Sequence, residues 1–163
     1  MPGVGKSTVG VLLAKQLGLS FLDTDIYIQT REGKSLQEII QIHGASGFCD
    51  LEERCVLSVT VASHVIATGG SVVYRPKAME HLRTNGVSVH LDLEVNRLKK
   101  RLNDVDARGV VIAHGQKLED LYAERHPLYL KYADVTVETD GLTPDKVVTK
   151  LVDILKISKS KNF

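Results

Sequence analysis

Short apolar runs alternate with longer amphipathic stretches along most of the chain. The short runs predict β-strands at 19–22, 64–68, 87–93 and 134–138. Apolar residues recur with helical spacing in the longer stretches, which predicts helices at 7–17, 36–43, 48–62, 77–83, 94–102, 118–132 and 145–157. Strands that alternate with helices in this way are typical of an α/β fold with a largely parallel sheet.

Three parts of the chain depart from this alternation. Residues 103–116 have a weak helical pattern, two glycines and mixed charge, so we predict a mobile excursion over the edge of the sheet. Residues 158–163 are predicted to be a solvated tail. A domain of this type opens with a buried strand before its first loop, and Met1 already stands inside that loop. We therefore expect the first strand and the start of the loop to be missing from the sequence as given.

Composition narrows the class of protein. A chain of 163 residues with 43% hydrophobic residues is sized for one domain with its own core. The formal charge of +1 gives no field that would attract nucleic acid or an anionic membrane, and no run approaches the roughly 20 apolar residues of a membrane span. We expect a cytoplasmic monomer without a nucleic-acid or membrane partner.

Cysteines and histidines give no metal signal in the sequence. Cys49 and Cys55 form no CxxC pair, which argues against a zinc site or a disulfide framework. The six histidines show no ligand spacing, so none is assigned to a metal or to catalysis.

The strongest motif lies at the start of the chain. Residues 2–8 read Pro-Gly-Val-Gly-Lys-Ser-Thr, which matches the end of the phosphate-loop pattern G-x-x-x-x-G-K-[ST]. Gly3 and Gly5 would let backbone N–H groups turn toward phosphate oxygens, Lys6 would reach the β and γ phosphates, and the Ser7 hydroxyl would bind Mg²⁺. The alternative is a glycine-rich helix entry with an incidental lysine.

Polar residues follow two of the predicted strands, at the edge of the sheet where ligands collect in α/β folds. Asp23 and Asp25 come directly after the first of these strands and could serve a metal ion and an attacking hydroxyl group. A simple helix cap is the alternative for either aspartate. Gly69 and Gly70 follow the second strand and would let a small ligand approach the backbone, although they could also form an ordinary turn.

Taken together, these blocks resemble the shikimate kinases, a P-loop family related to the nucleoside monophosphate kinases. The resemblance covers nearly the whole chain and rests on residues 3–10, 21–25, 33–40, 67–70 and 124–129, with Phe48, Leu51, Glu52, Arg101 and Arg108 between them. It implies a three-layer P-loop kinase fold whose parallel sheet has the order 2-3-1-4-5, a mobile lid at 103–116, and transfer of the ATP γ-phosphoryl group to the 3-hydroxyl of shikimate.

The resemblance also implies roles for individual residues. ATP would lie on Gly3, Gly5, Lys6, Ser7 and Thr8, with Arg101 near the adenine. Ser7 and Asp23 would serve Mg²⁺, and Lys6 would act on the phosphates during transfer.

On the acceptor side, the resemblance implies that Asp25 binds the hydroxyl groups of shikimate and assists deprotonation. Gly69 and Gly70 would contact the ring, Arg125 would pair with the carboxylate, and Arg108 in the lid would reach the transferring phosphoryl group. The sequence departs from the family at Cys49, where an arginine that also contacts the carboxylate is usual, and at Ser71, where a third glycine is usual. Two alternatives stay open: a related kinase with another small hydroxylated acceptor, and a non-catalytic relative that binds nucleotide.

Overall fold

Helices and strands alternate along the part of the chain that the computed structural model describes, residues 1–103 and 117–160. The strands are β1 (Ser20–Asp23), β2 (His64–Ala67), β3 (Val89–Asp92) and β4 (Val135–Glu138). The helices are α1 (Lys6–Leu17), α2 (Thr24–Glu32), α3 (Leu36–Leu57), α4 (Pro76–Thr84), α5 (Val95–Asn103), α6 (Leu118–Tyr132) and α7 (Pro144–Ser160), with a 3₁₀ turn at Val72–Tyr74. The predicted α/β class is confirmed.

The four strands form two parallel pairs. β1 pairs with β2 from Ser20 opposite His64 onward, and β3 pairs with β4 from Val89 opposite Val135 onward. Within the described residues, no backbone ladder joins one pair to the other. The pairs correspond to positions 2-3 and 4-5 of the order that the resemblance implies, and none of the described strands corresponds to the central position.

One apolar core touches both strand pairs. Its buried members include Val9 and Leu13 of α1, Leu91 of β3 and Val137 of β4, and Val65 of β2 packs against them. Helix α7 closes this core by packing along α1. Helix packing therefore joins the two pairs and fixes the carboxyl ends of the strands relative to the start of α1.

Helix α3 is bent where the sequence predicts two helices. Gly44 has φ 69° and ψ 175°, which interrupts the helical backbone between the predicted segments 36–43 and 48–62. A capping box begins the helix: Ser35 Oγ accepts from the Glu38 N–H, and the Glu38 carboxylate accepts from the Ser35 N–H at 2.8 Å.

Four expectations from the sequence need correction. Helix α2 was not predicted, because nine residues with a mostly polar face give little helical periodicity. Helix α7 runs to Ser160, so the predicted tail is helical over its first residues, and 161–163 lie outside the described part. The second half of α3 ends at Leu57 rather than at 62. The expectation that no histidines cluster is wrong for His90 and His126, which the fold brings together from distant positions.

Helices α5 and α6 flank residues 104–116, which lie outside the described part of the chain together with the predicted lid. The two helices pack on each other, and Lys99 Nζ lies 2.7 Å from Glu119 Oε1. None of the helices in the described ranges is both long enough and apolar enough to cross a membrane.

Candidate active site

The phosphate-loop residues form a tight turn that leads directly into α1. Gly3 and Gly5 have φ of 74° and 102°, in the left-handed region that favours glycine. The Gly5 carbonyl accepts a 2.9 Å hydrogen bond from the Val9 N–H, so the helix begins at once after the turn. The first N–H groups of a helix have no partner within the helix, so the start of α1 is a favourable place for a phosphate group.

Lys6 extends from the first residue of α1 back along the loop. Its Nζ donates to the Met1 carbonyl oxygen at 2.9 Å. Burial lowers the pKa of Lys6, while the charges of Asp25 and Asp23 act in the opposite direction. The ammonium group therefore lies in the field of both carboxylates.

Asp23 uses its two carboxylate oxygens for different purposes. Oδ1 accepts from the N–H groups of Asp25 at 2.9 Å and Ile26 at 3.3 Å, which caps α2. Oδ2 accepts from Ser7 Oγ at 2.6 Å. One side chain thus both caps α2 and contacts the phosphate loop.

The carboxylates of Asp25 on α2 and Glu52 on α3 both lie beside Gly69. A Cβ atom at position 69 would lie 2.7 Å from Asp25 Oδ1 and would overlap Glu52 Oε1. The Gly69 N–H donates to Thr24 Oγ1 at 3.1 Å, which fixes this backbone beside α2. Burial is the main cause that raises the pKa of Asp25, followed by the charge of Asp23, with Lys6 opposing both. Only glycine fits between the two carboxylates.

Glu52 is a functional candidate to which the sequence analysis assigned no role. The side chain is fully buried, Oε2 accepts from Ser71 Oγ at 2.6 Å, and Oε1 has no hydrogen-bond partner among the described residues. Burial raises the pKa of Glu52 to about 7. The sequence could have indicated this residue. Glu52 stands next to Leu51 on the face of α3 that the spacing of apolar residues predicts to be buried, and an acidic side chain is rare at such a position.

Arg125 is a buried cation that faces the other glycine of the turn. Its side chain is 2% exposed, and its Nε donates to Tyr74 Oη at 2.9 Å while the guanidinium lies 5.0 Å from the centre of the Tyr74 ring. Nη1 lies 3.1 Å from the place of a Cβ atom at Gly70, and Tyr129 Oη donates to the Gly70 carbonyl at 2.7 Å. Arg125 is therefore not a solvated surface arginine.

Three further residues were predicted to belong to the site: Arg101, Thr8 and Arg108. Arg101 Nη1 donates to the Val4 carbonyl at 3.3 Å, which places the guanidinium at the phosphate loop. Thr8 lies exposed on the first turn of α1. Arg108 falls within 104–116, outside the described residues.

Cys49 packs into the same buried region as Glu52 and Ser71. Burial raises the pKa of the Cys49 thiol, and the nearby charge of Glu52 acts in the same direction. A neutral thiol therefore occupies the position where the resemblance leads one to expect a second guanidinium. The hydroxyl group of Ser71, also a departure from the family pattern, hydrogen-bonds to Glu52.

Comparison with known proteins shows the family to which the chain belongs. The family model described as "Shikimate kinase" matches residues 2–156. The chain is similar to a shikimate kinase of Thiobacillus denitrificans, with 39% identity over 94% of this chain and 87% of the relative. A shikimate kinase of Thermodesulfovibrio yellowstonii is 37% identical over 92% and 88% of the two chains.

Solved structures show the same similarity in three dimensions. The shikimate kinase of Acinetobacter baumannii in complex with shikimate superposes with a TM-score of 0.88 and 31% identity, covering 96% of this chain and 89% of that one. The enzyme of Aquifex aeolicus gives a TM-score of 0.81 with 29% identity over 96% and 92%. The phosphate loop, the two carboxylates beside Gly69 and the buried Arg125 thus belong to a P-loop kinase fold, and the chain is a member of the shikimate kinase family.

Proposed function

We propose that the chain transfers the γ-phosphoryl group of ATP to the 3-hydroxyl of shikimate, giving shikimate 3-phosphate and ADP. One observation carries the proposal: Asp25 and the buried Arg125 face two adjacent glycines, Gly69 and Gly70, at the sheet edge beside the phosphate loop. A small acid with ring hydroxyl groups has matching groups for both side chains. The solved structure from Acinetobacter baumannii, which is similar to this chain, contains shikimate.

Arg125 is suited to hold the carboxylate of the acceptor. A guanidinium offers two parallel N–H donors to a carboxylate, and such charge-assisted pairs are short and strong. Its contacts with Tyr74 hold the guanidinium in place before a ligand arrives, so little side-chain entropy is lost on binding.

Asp25 is suited to receive the proton of the attacking hydroxyl group. Its raised pKa, caused chiefly by burial, makes it a better proton acceptor than a solvated carboxylate. Lys6, at the start of α1, would neutralise charge on the transferring phosphoryl group. We assign the same task to Arg108.

The phosphate loop and the residues beside it suit a nucleotide bound together with Mg²⁺. Gly3, Gly5 and Thr8 belong to the loop and first helical turn that would hold the phosphates, and Arg101 would lie near the adenine. The Ser7 hydroxyl and the Asp23 carboxylate already share a hydrogen bond, and oxygen donors of this kind suit Mg²⁺. When bound, Mg²⁺ neutralises phosphate charge during transfer.

A second candidate function changes only the acceptor. Cys49 is buried and uncharged at the place where a second guanidinium would face the carboxylate. This observation favours a related hydroxylated acid that binds its carboxylate through Arg125 alone.

Measuring ADP release by the purified chain with ATP and Mg²⁺, with and without shikimate, tests the proposal. We expect shikimate-dependent ADP release, and a loss of kcat by a factor of about 10² to 10⁴ in Asp25→Asn. Asp153→Asn is the matched control, because Asp153 is an exposed carboxylate on α7. It should keep full activity.

The other outcomes separate the alternatives. Release of ADP only with a different hydroxylated acid would support the second candidate. A folded chain that binds ATP but releases no ADP with any such acid would contradict kinase activity. Equal losses in Asp25→Asn and Asp153→Asn would remove Asp25 from the reaction.

A further inference from the structure

Three side chains with metal-binding atoms converge between β3 and α6. His90 and Asp92 stand two residues apart on β3, so both side chains point to the same face of the strand. His126 on α6 reaches the same point. Asp92 Oδ1 lies 3.5 Å from His90 Nε2 and 3.4 Å from His126 Nε2, and the ligand atoms of all three residues lie within 4.8 Å of one another.

These three atoms are buried and make no hydrogen bond to the described part of the chain. Both N···O separations exceed the 2.7–3.2 Å range of ordinary N–H···O bonds. His90 Nε2, His126 Nε2 and Asp92 Oδ1 each have no hydrogen-bond partner among the described residues, and the His90 side chain is only 6% exposed. Burying a polar atom without a partner is costly, so three such atoms within 4.8 Å of one another indicate a missing common partner.

We propose that His90, Asp92 and His126 bind a divalent transition-metal ion of the Zn²⁺ type. Bond lengths of about 2.0–2.2 Å in a tetrahedral site place neighbouring ligand atoms about 3.3–3.5 Å apart. The two N···O separations match that spacing. Two imidazoles with one carboxylate form a donor set that Zn²⁺ accepts, and the fourth position stays open for water.

Aromatic packing already holds the two imidazole rings. His90 stacks on Tyr129 with ring centres 5.2 Å apart, and His126 stacks on Tyr122 with ring centres 4.9 Å apart. The rings would therefore need little rearrangement when an ion binds.

This site is distinct from the proposed Mg²⁺ site at the phosphate loop and does not rest on the proposed kinase activity. Ser7 and Asp23 offer only oxygen atoms, whereas this cluster offers two imidazole nitrogens, which Mg²⁺ disfavours. An ion here would connect β3 to α6, next to Arg125 in the sequence. Its consequence is structural: it would fix the helix that carries Arg125.

Titration of the nucleotide-free chain with Co²⁺ alone, followed by visible absorption, tests the proposal. We expect one equivalent of Co²⁺ to give the absorption of a tetrahedral ion, and Zn²⁺ to displace it. Zn²⁺ should also raise the unfolding temperature. In His126→Ala, binding should weaken at least tenfold.

Two variants serve as controls. His43→Ala removes an exposed histidine on α3 and should leave the affinity for Co²⁺ unchanged. Ser7→Ala should also leave it unchanged, because Ser7 belongs to the phosphate loop. Since His90 is buried in the core, His126 is the better residue to change, and the unfolding temperature of each variant without metal shows that it is folded.

Three results would overturn the proposal. The first is a folded chain that shows neither Co²⁺ absorption nor a Zn²⁺-dependent rise in unfolding temperature. The second is binding of unchanged strength in folded His126→Ala. The third is binding that is lost in Ser7→Ala or His43→Ala, which would place the ion elsewhere.

Discussion

Buried charged side chains give the site its chemistry at the scale of single residues. Glu52 and Arg125 are both almost fully buried, and each faces one glycine of the Gly69-Gly70 turn. Removal from water is costly for either charge unless it is compensated. Arg125 is held by Tyr74, whereas among the described residues Glu52 Oε2 accepts from the Ser71 hydroxyl and Oε1 has no hydrogen-bond partner. The charge state of Glu52 should therefore respond to pH.

Protonation of Glu52 should make the stability of the chain depend on pH. Because burial raises its pKa from 4.5 to about 7 on folding, the folded state binds this proton more tightly than the unfolded state does. Its contribution to stability is fully present below the unfolded pKa and is lost as the pH rises through about 7. A shift of this size corresponds to about 3 kcal/mol in the free energy of unfolding.

Urea unfolding of the original chain and of Glu52→Gln at pH 5 and pH 8 measures this contribution. The glutamine does not titrate, so the free energy of unfolding of the original chain should fall relative to that of the variant between the two pH values. Glu80→Gln, at an exposed position on α4, should follow the original chain. Parallel behaviour of Glu52→Gln and the original chain would contradict the prediction.

A substitution at Cys49 should change the affinity for the acceptor. Replacing Cys49 with arginine should add a guanidinium near the proposed carboxylate position and close to Glu52, whose charge would compensate it. A charge-assisted hydrogen bond contributes about 1.5–3 kcal/mol, so we expect KM for shikimate to fall roughly 10- to 100-fold with kcat little changed.

Steady-state kinetics of Cys49→Arg and Cys49→Ser check this expectation. The serine variant changes polarity without adding charge and should keep the original KM. An unchanged or higher KM in a folded Cys49→Arg variant would show that position 49 does not face the acceptor.

Residues beside the candidate site could be chosen from the sequence, but their burial could not. Asp23, Asp25, Gly69 and Gly70 follow predicted strands, whereas Arg125 was indicated only by the resemblance, and the roles of all five stay predictions. Contacts between distant residues, such as Glu52 with Ser71 and His90 with His126, depend on how helices pack on strands. Periodicity within a single segment carries no information about such contacts.

At the scale of elements, α3 shows how one residue shapes a helix. Gly44 has a positive φ with an extended ψ, a combination that is almost confined to glycine. The bend separates the capped first half of α3 from the second half, which carries Phe48, Cys49 and Glu52 toward the site. The bend therefore sets the position of Glu52.

Substituting alanine for Gly44 should destabilise the chain by about 1–3 kcal/mol, because a Cβ atom is strained in this backbone conformation. Thermal or urea unfolding measures the loss. Ser46→Ala, two residues away and exposed, is the matched control and should change stability by less than about 0.5 kcal/mol. Equal stability of Gly44→Ala and the original chain would show that the bend is not fixed by glycine.

Elements with clear periodicity could be predicted closely, and those without it could not. Helix α6 has the predicted bounds, and all four described strands fall at predicted places. The sequence does not predict helix α2, because the capping residue Asp23 is the main indication of its start and the helix has little periodicity. Strand pairing depends on contacts far apart in sequence and came from the resemblance, not from the residues.

At the scale of the whole molecule, helix packing connects regions that the strands do not. The described strands form two separate parallel pairs, and the core around α1 and α7 holds them together. Arg101 on α5 lies at the phosphate loop, and Arg125 on α6 lies at Gly70. The proposed nucleotide and acceptor positions are thus reached from two helices that pack against each other.

The ion pair between Lys99 and Glu119, at 2.7 Å, has a thermodynamic consequence for these two positions. A ligand that orders α5 reduces the entropy that a second ligand must spend to order α6, so binding should be cooperative. Calorimetry should show that ADP tightens shikimate binding by about 5- to 150-fold, and that shikimate tightens ADP binding by the same factor. Glu119→Gln should lower that factor while leaving each separate affinity unchanged, and independent binding in the original chain would contradict the coupling. Each ligand would then influence the binding of the other through two packed helices, to which this exposed ion pair contributes.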